Sequence, residues 1–451
     1  MLTYDLDHSS RVPLYEQLSN AIKHDILSGS IRGGEKLPSK RLLAQHLRIS
    51  KVTVESAYQQ LLAEGYLTAM EKVGYFAEEI TPVQPAPMLP VLPPEPQPQP
   101  LPAARKFPFS VWAKLMRRVL LDYGDVMLRP LPGAGLPELR RAIAQELRRS
   151  RGMSVSPDQI LIGSGAEYFY NILIQLLGRS FCYGLETPGH QKITAVYRAN
   201  QVRAAAVALD ENGVSMESLR RSGADILHLS PSHQFPTGIV TPVRRRQELL
   251  RWAQEDPRRF LIEDDYDAEF RFSGRPIPTL QSLDRAGRVI YMNTFSRTIA
   301  PSLRISYMVL PPALLERYRQ QLGFYSCTVP AIEQLTLALF LSEGYFEKHL
   351  NRMLKYYRAL RDRLLTGIRA LPAPAEIFEQ DSGLHIILRV PGVRDSAAFC
   401  KALSVGGLRV TPLAQYCITP QPETGFVVDY CNLEESEIPA VLECLSALLP
   451  A

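Results

Sequence analysis

The 451-residue chain has few cysteines, no paired-cysteine motif and no long apolar run. Its six cysteines lie apart, without C-x-x-C pairs or the spacing of metal ligands, at positions 182, 327, 400, 417, 431 and 444. This pattern predicts no metal site and a reduced, cytoplasmic protein. The N-terminal MLTYDLDHSS lacks the basic and apolar regions of a secretory signal, and no apolar stretch reaches the roughly 18 residues of a membrane helix. We therefore expect neither secretion nor membrane spanning.

The length of the chain exceeds what one hydrophobic core usually organises, so two or three domains are expected. A content of 46% hydrophobic and 22% charged residues predicts folded globular units. The formal net charge of +5 permits a nucleic-acid partner without requiring one. The positions of the charged residues are therefore more informative about a nucleic-acid partner than the net charge.

A proline-rich stretch, TPVQPAPMLPVLPPEPQPQPLP, divides the sequence. Proline fixes its own φ and disfavours the helical region for the residue before it, so such a run favours extended polyproline II. We interpret residues 81–104 as a linker between a domain at 1–80 and a domain at 105–451. A docking site for another protein is the alternative.

The first domain has the pattern of a winged helix-turn-helix. Apolar residues recur at helical spacing in LYEQLSNAIKHDILS, and Gly29 ends this helix. Ser39 can cap a second helix, KRLLAQHL, and Ser50 can cap a third, KVTVESAYQQLLAEGYL. The following YLTAMEKVGYFAEE alternates and has Gly74 at a turn, which predicts a two-stranded wing.

Basic residues cluster at the starts of the second and third helices, with no acidic residue between Lys36 and Val54. Phosphate oxygens are bound by basic side chains and by the free N–H groups of helix starts. The second and third helices of the chain form the helix-turn-helix. In such a motif the early residues of its second helix, here the third helix of the chain, face base edges, which nominates Lys51, Thr53 and Ser56. Charge alone leaves open a solvated basic face on a small helical bundle.

The motifs from Pro13 to Phe76 closely resemble the winged helix of GntR-type bacterial transcription regulators. PLYEQL, G-x-x-LPS-x-R-x-LA-x-x-L, the TV-x-x-AY-x-x-L-x-x-EGYL run and a closing G-Y-F occur in order. The resemblance implies contacts to double-stranded DNA from the helix starts and the wing. The predicted DNA-contacting residues are Lys40, Arg41, Lys51, Thr53, Ser56, Lys72 and Gly74.

The second domain alternates helical segments with short apolar runs that end in polar residues or glycine. QILIGSGAE, ADILHLSPSH, FLIEDDYDAEF and RVIYMNTFS are runs of this kind, and they predict an α/β fold with a mainly parallel sheet. Ligands of such folds lie beyond the carboxyl ends of the strands. This rule selects rim residues at 163–167, 231–238, 264–267 and 294–297.

Each rim segment has side chains suited to a cofactor. The turn GSGAE can hold a phosphate at a helix N-terminus, although such turns are common. The run EDDYD can place a carboxylate beside a pyridine nitrogen, and its alternative is a solvated acidic loop. Thr294, Ser296 and Arg304 can clamp phosphate oxygens.

Together these segments resemble fold-type I aminotransferases, and specifically the MocR branch, in which a GntR-like winged helix is fused to such a domain. The motifs are GSGAEYF, SPSHQFPTG, IEDDYDAEFRF and MNTFSRTIAPSLR. The resemblance implies a fold-type I, pyridoxal-phosphate-dependent aminotransferase-like domain with a smaller C-terminal subdomain. It also implies that Asp264 pairs with the cofactor's ring nitrogen and Tyr266 with its phenolic oxygen. The implied phosphate ligands are Gly165, Ala166, Thr294, Ser296 and Arg304.

Three positions depart from the family pattern. Arg297 stands where the family has its cofactor lysine, His190 replaces the ring-stacking tyrosine, and Val427 aligns with a carboxylate-binding arginine. An arginine stays protonated and offers no lone pair for an imine. Transamination needs that lysine, so no catalytic residue is predicted and pyridoxal phosphate is expected to bind only non-covalently.

These observations predict a DNA-binding transcriptional regulator whose aminotransferase-like domain forms a homodimer, head to tail, and senses a small anion near His190 and Arg297. One rival is a working pyridoxal-phosphate transferase with an appended DNA-binding domain. Another is a regulator whose second domain is a ligand-free scaffold. In that case Arg297 would form an internal ion pair with Asp264 or a neighbouring acid.

Overall fold

The computed structural model describes residues 2–80, 106–267, 269–272, 277–372, 375–378, 383–393, 395–418 and 425–449. The chain divides into two compact units, Met1–Gln97 and Pro98–Ala451. The linker predicted at 81–104 lies outside the described residues. Among the described residues, no helix combines the length and apolarity needed to cross a lipid bilayer.

The N-terminal unit contains the predicted helices and wing. Its elements are α1 (Leu14–Ser28), α2 (Lys40–Leu47), α3 (Lys51–Ala63), β1 (Leu67–Met70) and β2 (Gly74–Ala77). Gly29 ends α1 with φ 79°. The hydroxyls of Ser39 and Ser50 accept the backbone N–H of Leu42 and Thr53, so both serines cap helices as predicted.

A small apolar core fixes the angle between the helices of this unit. Leu18 and Ile22 of α1 and Val54 of α3 are completely buried, and their positions follow the helical period of each sequence. The buried Tyr58 of α3 donates its hydroxyl to the Pro38 carbonyl at 2.9 Å, just before α2. The helix starts that carry the basic residues are therefore held at a defined spacing.

The C-terminal unit combines a large mixed sheet, its covering helices and a smaller subdomain. Its helices are α4 (Phe109–Asp122), α5 (Gly124–Met127), α6 (Pro137–Arg151), α7 (Ala166–Leu177), α8 (Gln191–Ala199), α9 (Met216–Ser222), α10 (Val243–Gln254), α11 (Leu280–Leu283), α12 (Phe295–Thr298), α13 (Pro312–Leu322), α14 (Ala331–Ser342), α15 (Tyr345–Arg369), α16 (Ser396–Val405) and α17 (Ile438–Leu448). The strands of its large sheet are β3 (Ile160–Gly163), β4 (Cys182–Thr187), β5 (Arg203–Asp210), β6 (Gly213–Val214), β7 (Ile226–Leu229), β8 (Phe260–Asp264), β9 (Val289–Thr294) and β10 (Ser306–Val309).

The strand order in the large sheet is β3-β10-β9-β8-β7-β4-β5-β6. The pairs β5-β4, β4-β7, β7-β8 and β8-β9 are parallel, whereas β10 runs antiparallel to β3 and β9. Successive strand residues enter different cores, since Leu161 packs in one cluster and Ile162 in another. The fully buried strands explain the continuous apolar runs in the sequence.

The smaller subdomain is built on an antiparallel sheet with the order β11-β12-β14-β13. Its strands are β11 (Glu376–Phe378), β12 (His385–Arg389), β13 (Arg409–Pro412) and β14 (Phe426–Asp429). One apolar cluster joins this sheet to α15, α16 and α17 through residues such as Leu364, Leu403 and Val441. The mainly parallel sheet and the smaller C-terminal subdomain agree with the predicted fold class.

A buried arginine holds the loop after β7. Arg246 of α10 donates its guanidinium hydrogens to the carbonyls of Thr241, Pro278 and Pro231 at 2.8, 2.6 and 2.7 Å. Its Nη1 also lies 3.9 Å from the buried Glu263 carboxylate. Because Pro231 begins the 231–238 loop, Arg246 positions one rim segment without facing a ligand.

We expect Arg246→Met to lower the free energy of unfolding by about 3–5 kcal/mol, because buried carbonyls and a buried carboxylate lose their donor. Urea denaturation followed by tryptophan fluorescence measures the change. The matched control is Arg244→Met on the same helix, where the side chain is 91% exposed and a change within about 0.5 kcal/mol is expected. Equal midpoints for both variants would show that Arg246 does not hold the loop.

Candidate functional site

A cleft of about 560 Å³ opens where the carboxyl ends of the large-sheet strands meet the smaller subdomain. It is built by the end of β8 at Asp264, the end of β9 at Thr294 and the start of α7 at Ala166. All the predicted ligand-site residues except Gly165 line it: Ala166, His190, Asp264, Tyr266, Thr294, Ser296, Arg297 and Arg304. The topology therefore brings together segments that are up to 138 residues apart in sequence.

Gly165, the residue just before α7, lies against the guanidinium of Arg304. Its φ of 93° favours glycine, and a Cβ built there would come within 2.1 Å of the Arg304 Nη2 atom. A side chain at position 165 would displace this guanidinium. The predicted role of Gly165 is thus consistent with its place beside the cleft, although it contributes no lining surface.

An internal carboxylate lies at the predicted phosphate end of the cleft. Glu167 accepts Lys192 Nζ at 2.8 Å and Arg304 Nη2 at 2.5 Å. Burial raises the pKa of Glu167, but the hydrogen bonds from Lys192, its own backbone N–H and Arg304 lower it to about 2. A ligand phosphate must therefore compete with Glu167 for Arg304. Glu167 was not among the predicted site residues, although an acid in the first turn of the predicted phosphate-binding helix was an available signal.

The hydroxyls at the end of β9 differ in their availability. Thr294 Oγ1 accepts the backbone N–H of Ser296 at 3.1 Å and the Ser306 hydroxyl at 2.8 Å. Ser296 Oγ is buried without a hydrogen-bond partner among the described residues. Since buried hydroxyls are normally paired, Ser296 offers a hydrogen bond to a ligand.

The acidic run after β8 is buried, so the alternative of a solvated acidic loop is wrong. Asp264 is 5% exposed, and its Oδ2 accepts the Tyr170 hydroxyl at 2.7 Å and lies 3.4 Å from His228 Nε2. Burial raises the pKa of Asp264, but the hydrogen bond and charge of His228 and the Tyr170 hydroxyl lower it below its ordinary value. Oδ1 makes no hydrogen bond to the described residues, so Asp264 can accept a donor in the cleft.

Two aromatic rings stack at the side of the cleft. The His190 ring lies parallel to Phe235, with ring centroids 3.9 Å apart and 6° between the planes, and Tyr266 meets it edge-on at 5.0 Å. Burial lowers the pKa of His190 to about 3, so this imidazole is neutral at physiological pH. Phe235 was not among the predicted site residues, because an aromatic residue in a proline-containing loop gives no specific signal.

Tyr266 belongs to a hydrogen-bonded chain behind these rings. Its hydroxyl lies 3.2 Å from His233 Nδ1, which in turn lies 2.9 Å from the Asp267 carboxylate. Burial and the charge of Asp267 raise the pKa of Tyr266 well above its ordinary value. The hydroxyl therefore stays protonated and available as a donor.

Arg297 reaches the same cleft from α12, immediately after β9. Among the described residues it makes no hydrogen bond or ion pair, so the internal pair with Asp264 is absent, and its side chain is accessible within the cleft. Desolvation lowers its pKa, but Cys431, Asp429 and Asp267 raise it above the ordinary value. A permanently charged guanidinium therefore lines the cleft within electrostatic reach of Asp429 and Asp267, but with no ion-pair partner among the described residues.

The predicted DNA-contacting residues of the N-terminal unit differ in whether their charges are already ion-paired. Arg41 and Lys51 are exposed in the first turns of α2 and α3 and make no ion pair with a described residue. Lys40 instead donates to Glu55 at 2.5 Å and lies over the Tyr75 ring at 5.4 Å. Lys40 is thus held internally, whereas Arg41 and Lys51 have free charges.

The remaining predicted residues lie on α3 and the wing. Thr53 and Ser56 are partly buried on α3, and Thr53 shares a 2.8 Å hydrogen bond with the capping Ser50. Lys72 is exposed at the tip between β1 and β2 with φ 61°. A Cβ at Gly74, where φ is 141°, would meet Lys36 Cε at 3.0 Å, so this glycine lets Lys36 pack against the wing.

Comparison with known proteins agrees with this architecture. The family described as bacterial regulatory proteins, gntR family, matches residues 14–76, and aminotransferase class I and II matches residues 99–444. The uncharacterized HTH-type transcriptional regulator YdeL of Bacillus subtilis is 36% identical, covering 99% of each chain. The probable rhizopine catabolism regulatory protein MocR of Rhizobium meliloti is 30% identical, covering 95% of this chain and 92% of its own. This chain belongs to the MocR-type HTH regulators.

The fold of the larger unit of this MocR-type chain matches that of aminotransferases. A crystal structure of an archaeal alanine:glyoxylate aminotransferase superposes with a TM-score of 0.69 at 24% identity, covering 77% of this chain and 88% of that one. The MocR-type assignment identifies the N-terminal unit as a DNA-binding domain joined to an aminotransferase-like domain. The likeness to the aminotransferase at this identity shows the fold alone.

We predict that Arg41→Ala and Lys51→Ala each weaken operator binding by about 1–3 kcal/mol where a base contact is lost. Band-shift titrations at fixed salt measure the change. Lys23→Ala removes the same charge from a lysine already paired with Glu64 at 2.6 Å, and its affinity should stay near that of the wild type. The docking assigned to α2 and α3 is wrong if Arg41→Ala and Lys51→Ala behave like Lys23→Ala.

Proposed function

We propose that this MocR-type regulator controls transcription in the cytoplasm by sensing a small anion in its aminotransferase-like cleft, without transaminase turnover. The observation that carries this proposal is the charged Arg297 just after β9, which has no ion-pair partner among the described residues and lines the cleft that also contains Asp264. In this proposal Arg297 occupies the place of the lysine that holds the cofactor in aminotransferases.

The cleft has groups suited to pyridoxal phosphate, the cofactor associated with this fold. Asp264 has a free carboxylate oxygen for a protonated ring nitrogen, and Ser296 and Arg304 have donors for a phosphate. Tyr266 has a protonated hydroxyl for the phenolic oxygen. When bound, pyridoxal phosphate supplies an electron-withdrawing ring and an aldehyde. In this proposal these residues would hold such a molecule without a covalent bond.

Arg297 determines that binding is reversible. A guanidinium donates hydrogen bonds to phosphate, carboxylate or phenolic oxygens, but it remains protonated and has no lone pair for the aldehyde. Lys192 is the lysine that lines the described part of the cleft, and its ammonium is engaged with Glu167 at 2.8 Å. In this proposal Lys192 stays ion-paired with Glu167 and forms no covalent bond to the ligand.

The rival functions make different use of the same cleft. A working transferase needs a nucleophilic amine at the cofactor, and the only candidate on the described cleft wall is the ion-paired Lys192. A ligand-free scaffold needs the cleft charges to satisfy one another, and Arg297 has no partner among the described residues. The unpaired guanidinium favours a sensor over both.

We expect wild-type protein mixed with pyridoxal phosphate and borohydride to show no trapped adduct at position 297 by peptide mass spectrometry. Arg297→Lys should regain one, because Asp264 and Arg304 still shape the site. Arg297→Gln, which also removes the guanidinium, is the matched control and should show none. An adduct on Lys192 of the wild type would contradict non-covalent binding but leave a sensory role intact.

We further propose a head-to-tail homodimer of the aminotransferase-like domain. The support within this unit is a set of apolar side chains that are more than half exposed, three of them on α4 and two after other helices: Phe109, Leu120, Leu121, Leu128 and Phe324. Large apolar side chains that stay exposed in one unit are candidates for a surface covered by a partner subunit. A dimer also suits a DNA reader, since paired recognition helices bind two half-sites.

Light scattering should report a mass of about twice 50.7 kDa for the wild type at micromolar concentration. Leu121→Asp places a charge on a side chain that is 78% exposed and should shift the mass towards the monomer. Val405→Asp alters an 86% exposed side chain on α16, away from α4, and should leave the dimer intact. A monomeric wild type would overturn the dimer proposal.

A further inference from the structure

A buried hydrogen-bonded cluster lies beside the cleft. Arg151, the last residue of α6, donates through Nη2 to the Asp265 carboxylate at 2.6 Å. Tyr291 of β9 donates its hydroxyl to the same Asp265 oxygen at 2.7 Å. Asp265 is 2% exposed and stands directly between Asp264 and Tyr266, which both line the cleft. The cluster therefore supports the segment that carries two predicted ligand contacts.

Glu269 joins this cluster through Asn293 of β9. The Asn293 Nδ2 atom donates to Glu269 Oε1 at 3.0 Å and to the Tyr291 hydroxyl at 3.2 Å. Asn293 Oδ1 accepts the backbone N–H of Thr294 at 2.5 Å, and Asn293 and Thr294 both line the cleft. Glu269 is therefore connected to a predicted phosphate ligand through a single side chain.

The carboxylates of this region are not equally paired with cations. Glu263, Asp265 and Glu269 lie near two buried arginines. Arg246 lies 3.9 Å from the Glu263 carboxylate, and Arg151 forms an ion pair with Asp265. Among the described residues Glu269 makes no ion pair. It is thus the carboxyl group for which neither guanidinium is available.

Two carboxyl oxygens of the cluster have no donor. Asp265 Oδ1 and Glu269 Oε2 are both buried without a hydrogen-bond partner among the described residues. Buried polar atoms are normally paired, and an ionised carboxylate accepts hydrogen bonds but donates none. A proton on one of the two groups turns an acceptor without a donor into a donor.

The surroundings of Glu269 favour its protonated form. Burial raises the pKa of Glu269 and the charge of Asp265 raises it further, to about 7, against the hydrogen bonds that Glu269 accepts and the charge of Arg151. The other titratable groups that face it are the phenols of Tyr291 and Tyr307, and burial holds both pKa values well above their ordinary range. Glu269 therefore changes charge near neutral pH while both phenols stay neutral.

We propose that Glu269 and Asp265 share one proton near neutral pH, and that the loss of this proton weakens anion binding in the cleft. The protonated Glu269 donates to Asp265 Oδ1, so both unpaired oxygens gain a partner. Ionisation of Glu269 places a second negative charge beside Asp265 and beside Asn293, which lines the cleft. That charge opposes the approach of an anion. The effect on binding rests on the proposed function, whereas the shared proton does not.

The shared proton is tested by urea denaturation of the full chain at pH 5.5 and pH 8. Both tryptophans, Trp112 and Trp252, belong to the larger unit, so their fluorescence follows its unfolding. The pKa of Glu269 is raised from 4.5 to about 7, so the folded state keeps a proton that the unfolded state releases. The stability that this proton supplies is lost as the pH rises through about 7, and the wild-type midpoint should fall.

Three variants isolate the contribution of Glu269. Glu269→Gln supplies an uncharged N–H donor at every pH, so its midpoint should fall less than that of the wild type and should exceed it at pH 8. Glu269→Ala also lacks the titrating group and should lose the same pH dependence even if its stability is lower. Glu211→Gln makes the same change at an exposed carboxylate between β5 and β6 and should follow the wild type. Burial also raises the pKa of Glu186 and Glu263, but both are present in every variant and cancel in the comparison.

The effect on the cleft is tested by titration calorimetry with pyridoxal phosphate at the same two pH values. Glu269→Gln should bind about two- to tenfold more tightly than the wild type at pH 8, the size of a charge effect across a protein interior. At pH 5.5 Glu269 is protonated, and the two proteins should bind with equal affinity. Glu211→Gln should match the wild type at both values.

The two measurements separate the proton from its effect. Equal pH dependence of stability in the wild type, Glu269→Gln and Glu269→Ala overturns the shared proton, and a buried water that also reaches the unpaired Arg151 Nε then accounts for the oxygens. An altered pH dependence of stability with an unchanged ratio of affinities overturns the link to the cleft. Failure of pyridoxal phosphate to bind either protein overturns that link together with the cofactor of the proposed function, while the urea midpoints still decide the proton.

Discussion

An arginine with no ion-pair partner among the described residues, placed at the carboxyl end of a central strand, is the constraint on which the chemistry of this cleft depends. Arg297 follows β9, whose buried run and parallel neighbour β8 fix its position on the cleft that Asp264 also lines. Since a guanidinium keeps its proton at any physiological pH, the cleft has a fixed positive charge there. A scaffold shared with aminotransferases thus presents a hydrogen-bond donor where covalent chemistry needs a nucleophile.

The charges around Arg297 are arranged by local pairing. Glu167 is ion-paired with both Arg304 and Lys192, so the phosphate end contains its own anion and a phosphate must displace that carboxylate from Arg304. This exchange lowers the affinity for phosphate relative to an open arginine, because the ion pair must first be broken. The competition gives the cleft a means of responding to ligand concentration, which suits a sensor better than a tightly held cofactor.

The sequence predicted the elements that follow from periodicity and capping, and the residues that share a strand end. Ser39 and Ser50 cap α2 and α3 because their side chains compete for helix-start N–H groups wherever they occur. Asp264, Ser296 and Arg297 meet because strand ends of one sheet meet, which parallel topology requires.

Other features depend on side-chain geometry that no local pattern encodes. The pairing of Lys40 with Glu55 joins two helices, and the stacking of Phe235 on His190 joins two loops. Arg409 reaches the cleft only because the smaller subdomain folds against the strand ends. The sequence alone also left the acidic loop ambiguous, and burial of Asp264 decided it.

Reversible anion binding in the cleft is tested most directly by equilibrium dialysis of the purified full chain with pyridoxal phosphate and with pyridoxal. The account predicts saturable binding of the phosphorylated compound, weaker binding of pyridoxal, and complete removal of both by further dialysis. Pyridoxal phosphate that stays attached through dialysis and denaturation, or the absence of binding by either compound, would contradict the account.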